Sequence, residues 1–97
     1  MSFNTSLGEE YTIRRVEDWF IKFDENRIYG TIKPYNINVD TYVNGFILGW
    51  VDNRVLAKID CKLYALVLGN VDSSHKSKKC LYKSYLKTKV PPINIVL

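Results

Sequence analysis

Between Tyr11 and Leu68 the chain is a succession of short β-prone runs and turns, with no helical run among them. That leaves few ways to bury apolar side chains: a sandwich, a strongly bent sheet or a small barrel. Tyr11–Val16 is β-branched and aromatic, and Trp19-Phe20-Ile21-Lys22-Phe23 sets Trp19, Ile21 and Phe23 on one face and Lys22 on the other. Asp24-Glu25-Asn26 supplies turn chemistry, because Asn and Asp tolerate left-handed backbone. Arg27–Lys33 resumes extension, and Pro34, which has no ladder donor, ends it. Tyr35–Thr41 is polar and reads as a loop. Tyr42–Val51 is an apolar run whose Gly45 and Gly49 mark a bulge or bend. Asp52-Asn53 turns the chain into Val55–Ile59, and Asp60-Cys61 turns it again into Leu63–Leu68, an antiparallel meander.

The segment after Leu68 differs in kind. Asp72-Ser73-Ser74 offers side chains that cap free helix amides. Wound at about 100° per residue, His75–Lys89 places Lys76, Lys79, Lys83 and Lys87 in one stripe, with Leu81, Tyr82 and Tyr85 facing away towards a core. Pro91-Pro92 forbids continuation. Ile93–Leu97 alternates apolar residues, as an edge strand or pinned tail would. The expected fold is therefore mainly β, of α+β type, in one domain over 1–97. It comprises a small antiparallel barrel or bent sheet of five to six strands over 10–70, one basic amphipathic helix over 73–90, and a tail over 91–97.

Charge divides along the same boundary. Ser73–Leu97 carries six lysines and no acid, while Met1–Asp72 carries eight basic residues against ten acidic ones, so a slightly acidic body bears a basic appendage within a net +4. Such asymmetry points to an anionic contact surface. Ninety-seven residues suffice for one core, roughly two-thirds of the unfolded surface being buried at this size. No apolar run approaches the ~20 residues a spanning helix needs, and no basic start leads into an apolar stretch, so the expectation is a cytoplasmic protein with no membrane partner.

Site chemistry is sparse. Cys61, Cys80 and the single His75 do not make a four-ligand zinc spacing, so both cysteines are expected to be reduced thiols and neither metal nor cofactor is expected. His75, among Ser73, Ser74 and Lys76, is expected at the solvated surface. The pairs Glu9-Glu10, Glu17-Asp18 and Asp24-Glu25 point to opposite strand faces and do not converge. Asn44-Gly45-Phe46-Ile47-Leu48-Gly49 lacks the Lys-Ser or Lys-Thr of a phosphate loop. An enzyme is not expected.

From Trp19 to Gly69 the order of features resembles a group of small SH3-like β-barrel proteins of phages and bacteria. Trp19, Ile28-Tyr29-Gly30-Thr31-Ile32, Thr41-Tyr42-Val43, the Asp52-Asn53 hairpin and Tyr64–Gly69 carry the resemblance. Asn44-Gly45-Phe46-Ile47 departs from the Thr-Ser-x-Ile step of that pattern. The resemblance implies the barrel and a mobile-element origin, and it transfers no functional residue.

The functional expectation is a non-enzymatic binding module, an accessory or inhibitory factor that occludes a protein partner. In this reading Lys76, Lys79, Lys83 and Lys87 meet an acidic patch and steer association. Exposed members of Tyr29, Tyr35, Tyr42 and Phe46 act as anchors. The alternative is nucleic-acid binding through the same lysines. A third reading is self-association through the 93–97 edge.

Overall fold

The computed structural model describes residues 2–4, 10–33 and 41–92. The expected Tyr35 and the tail at 93–97 lie outside the described residues. The strands are β1 (Ser2–Asn4), β2 (Glu10–Lys22), β3 (Arg27–Lys33), β4 (Thr41–Val51), β5 (Arg54–Ile59) and β6 (Lys62–Leu68), followed by a 3-10 segment (Ser73–Lys78) and α1 (Lys79–Lys89). Strands β2 to β6 form a closed five-stranded barrel, and β1 pairs with the start of β2. The expected small barrel with one C-terminal helix is what the chain forms.

Its composition differs from the expectation in two respects. Tyr11–Val16 and Trp19–Phe23, read as separate strands, belong to one 13-residue strand, and β1 adds a member that the reading lacked. The barrel is also mixed and not wholly antiparallel. Each neighbour from β2 to β6 runs opposite to the last, so β6 comes round in the same direction as β2. Closure of five such strands must use a parallel pair, and Thr12–Val16 pairs in parallel with Tyr64–Leu68.

Two bulges set which side chains face inward. From Glu17 to Phe20 β2 advances three residues while β3 advances two, from Thr31 to Tyr29. The extra residue sits beside Asp18, whose φ of 52° is left-handed, a position more often given to glycine. Without it Val16 and Trp19 would face opposite ways; with it both are buried in the core. On β4 the step from Ile47 to Gly49 spans one residue of β5, which puts Ile47 and Trp50 on the inner face together.

Strand β5 is buried on both faces. Val55 and Ala57 point into the main core, while Leu56 packs with Tyr11, Leu63 and Ala65 on the outer side. Tyr82, Leu86 and Val90 join the main core beside Trp19 and Trp50, so α1 is a stopper over one end of the barrel.

Gly30 is required by proximity. It lies opposite the β2 bulge, where an added Cβ would stand 2.6 Å from Val16 Cγ2 and 3.1 Å from the Glu17 carbonyl oxygen. Gly30→Ala should therefore destabilise the fold by about 1–3 kcal/mol, the usual cost of overpacking. Chemical denaturation should show a lower midpoint at unchanged m-value; an unaltered midpoint would mean that the bulge absorbs the methyl group freely.

Candidate binding surface

The basic helical unit begins at Asp72. Its carboxylate accepts hydrogen bonds from the Ser74 hydroxyl and, at 2.9 Å, from the Ser74 backbone N–H. These two bonds, with His75 close by, hold the Asp72 carboxyl below its ordinary pKa. The expected cap is thus formed, although it opens a 3-10 turn and the α-helix starts only at Lys79. His75, expected in solvent, is half-buried: its ring lies 4.5 Å from that of Phe20 and its Nδ1 3.7 Å from Asp72 Oδ1.

The helix is anchored by rings and by one turn residue. Phe23 lies 5.6 Å from Tyr82 and 4.9 Å from Tyr85, and Trp19 lies 5.7 Å from Tyr82, all between ring centroids. The Tyr85 hydroxyl donates to Asn26 Oδ1 at 2.7 Å, and Asn26 Nδ2 donates to the Ile47 carbonyl at 3.0 Å. Asn26, left-handed at φ 52°, thereby joins the β2–β3 turn, β4 and α1.

Lys76, Lys79 and Lys87 are exposed and Lys83 is half-buried. The 3-10 segment turns every three residues, which brings Lys76 into line with Lys79. Among the described residues, none of the six lysines from Lys76 to Lys89 pairs with a carboxylate. The stripe flanks the packed face, because Tyr82 and Leu86 are buried next to it on the helix. The outermost positions go to Cys80, Leu81, Ser84 and Thr88. Leu81, expected in the core, is 59 % exposed.

The expected anchors separate. Tyr29 is committed to its own chain. Its ring stacks on Phe20 at 5.2 Å, the Lys22 ammonium sits 4.9 Å from the ring centre, and its hydroxyl donates to the Glu25 carboxylate. That hydrogen bond, with partial burial and the nearby charge, raises the Tyr29 phenol above its ordinary pKa. Tyr42 and Phe46 are free, 62 % and 43 % exposed on the outer face of β4. Between them Asn44 Oδ1 accepts from Arg27 Nη1 at 3.0 Å.

Tyr42 and Phe46 border a groove of about 540 Å³ lined by residues of β3, β4, β5 and the β5–β6 turn, with no helix residue in its wall. The pairing register places Arg27 opposite Phe46 and Phe46 opposite Lys58, an outer row with an aromatic ring between two cations. Arg27, Lys58, Asp60 and Cys61 were not among the residues that the sequence suggested. Alternation puts Arg27 and Phe46 outward on their own strands, but only the register makes them neighbours. Cys61 and Cys80 are exposed free thiols.

Among the described residues no group of three metal-ligating side chains comes together, and no helix is long and apolar enough to cross a membrane. No protein-family model, curated protein or solved structure matches the chain.

Asp72→Ala should lower the thermal midpoint of the helical unit near neutral pH. The sign follows from the depressed carboxyl: its contribution is present above the unfolded value of about 3.9 and is lost as pH falls through the lower folded value. Circular dichroism melts of parent and variant should therefore converge below that range. A gap that persists undiminished in strong acid would refute the cap.

Proposed function

We propose that this chain is a non-enzymatic binding module whose partner is another protein. The observation that carries the reading is the pair Tyr42 and Phe46, two large rings left exposed on β4 around a groove flanked by Arg27 and Lys58. Exposed aromatic anchors beside a cationic residue are the side chains that dominate interface energies. The helix lysines lie outside the groove wall and suit a different task, speeding and orienting the approach of an acidic surface. The only histidine is occupied by Phe20 and Asp72, which favours a binding role over acid–base or nucleophilic catalysis. The resemblance to small phage and bacterial barrels makes an accessory or inhibitory factor of a mobile element the biological setting we favour.

A second reading, binding of nucleic acid, is favoured by one observation: six lysines along Ser73–Lys89 with no carboxylate partner among the described residues. Phosphate contacts of that kind make affinity fall steeply with salt.

Immobilised parent protein and a Tyr42→Ala/Phe46→Ala variant, compared on lysate of the source organism by quantitative mass spectrometry, separate the two. The protein reading expects a set of captured proteins depleted at least tenfold by the double variant at unchanged thermal midpoint. Fluorescent single-stranded and duplex oligonucleotides, titrated at low and moderate salt, should bind weakly. Sub-micromolar oligonucleotide binding that Lys79→Glu/Lys83→Glu/Lys87→Glu abolishes, with no protein lost on changing Tyr42 and Phe46, would replace it with the second reading.

A further inference from the structure

Strand β4 is longer than the hairpin beside it. Thr41–Phe46 pairs with β3 along one edge, from Ile32 opposite Thr41 to Arg27 opposite Phe46. On the other edge β5 reaches only from Val51 to Phe46, where Lys58 is the last partner. Ile59 ends β5, and the chain reverses at once through Asp60 and Cys61, both left-handed at φ 48° and 67°. Gly45 still lies against the end of β5, where an added Cβ would stand 2.8 Å from Ile59 Cγ1 and 3.2 Å from the Lys58 carbonyl oxygen, but no described strand pairs with the β5-side edge of Thr41–Asn44. The groove beside Tyr42 is the resulting notch, with Thr41, Tyr42 and Val43 on one wall and Ile59, Asp60 and Cys61 on the other.

A bare strand edge presents every second backbone N–H and C=O to whatever lies alongside. Proteins usually blunt such edges with proline, charge or a bulge. Thr41-Tyr42-Val43-Asn44-Gly45 has no proline and no charge, and the β4 bulge lies beyond it, between Ile47 and Gly49. The segment is short and β-prone, and no described strand lies along the free edge of Thr41–Asn44.

We propose that the Thr41–Asn44 edge of β4 accepts an extended, acidic segment of a partner protein as an added strand. Backbone hydrogen bonds supply the pairing, and side chains of the incoming strand supply selectivity. Arg27 and Lys58 stand at the inner end of the notch, and neither is paired with a carboxylate among the described residues. Against these two cations the groove holds one carboxylate, Asp60. A carboxylate-bearing strand completes that balance. A second copy of this chain does not, because pairing β4 with β4 would bring like cations from both copies towards one shared interface. The inference rests on the protein-binding reading above and adds the mode and the chemistry of the partner.

The test uses the full chain and a displayed library of random linear decapeptides. Selected sequences should alternate Asp or Glu with β-branched residues. Titrating the best into isotopically labelled protein should shift the amide resonances of Thr41–Asn44 and slow hydrogen exchange at least tenfold for those amides that face away from β3. The same peptide N-methylated at alternate positions keeps its side chains but cannot pair along one edge, so its affinity should fall at least tenfold. Arg27→Glu/Lys58→Glu should do the same at unchanged thermal midpoint.

Three results would each overturn the proposal: no enrichment of acidic sequences, equal binding of the N-methylated peptide, or shifts confined to Lys76–Lys89. Protection of the Thr41–Asn44 amides in a peptide-free dimer would assign the edge to self-association instead. Loss of captured proteins on changing Tyr42 and Phe46, with the β4 amides unmoved by any peptide, would leave the protein-binding reading standing and remove this one alone.

Discussion

The barrel depends on a seam where β2 meets β6, and Trp19 is the side chain that fastens it. Its ring is fully buried, and its indole N–H donates to the Gly69 carbonyl at 3.0 Å. Around it the Gly69 N–H donates to the Val16 carbonyl at 2.8 Å, the Trp19 N–H to Asn70 at 3.3 Å, and the Asp72 N–H to the Trp19 carbonyl at 2.9 Å. The Glu17 carboxylate adds a bond to the Asn70 N–H at 2.9 Å. The strand therefore passes into its exit loop without stranding backbone donors in the interior, where each would be costly. Because this pair is parallel, no hairpin holds it locally, and side chains and loop backbone must.

Everything C-terminal to the seam inherits its position. Val71 and Asp72 leave the barrel beside Trp19, so the capped 3-10 turn starts next to Phe20 and α1 crosses over Trp19 and Phe23. The end of α1 then delivers Pro91 to β4, whose Trp50 N–H donates to the Pro91 carbonyl at 3.1 Å. The helix is stapled at its beginning, along its aromatic face and at its exit. Placement of this kind leaves most of the flanking lysines exposed, and among the described residues no element covers Tyr42 and Phe46 on the outer face of β4.

The lysine stripe and the exposed rings of β4 end up on different parts of the molecule. The lysines stand along the helical unit, while Tyr42 and Phe46 stand on the sheet with Arg27 and Lys58. In the binding reading proposed above, the lysines would act at long range, where salt weakens them, and the β4 rings would act at contact. Tyr29 shows why composition alone misleads about anchors. It is as apolar and as β-prone as Tyr42, yet Phe20, Lys22 and Glu25 have already taken its ring and hydroxyl.

What was legible in the sequence is what neighbouring residues decide among themselves. The strand from Arg27 to Lys33, the turns at Asp52-Asn53 and Asp60-Cys61, and the Asp72 cap all stand where periodicity and turn chemistry place them. A small barrel followed by a helix was legible too, because so many short strands with no intervening helix have few other ways to hide their apolar faces. The bulge at Asp18, the parallel seam, the exposure of Leu81 and the row Arg27–Phe46–Lys58 were not. Each is decided by register and closure, which sum weak contacts over many strands. No local pattern records which of two nearly equal alignments that sum prefers.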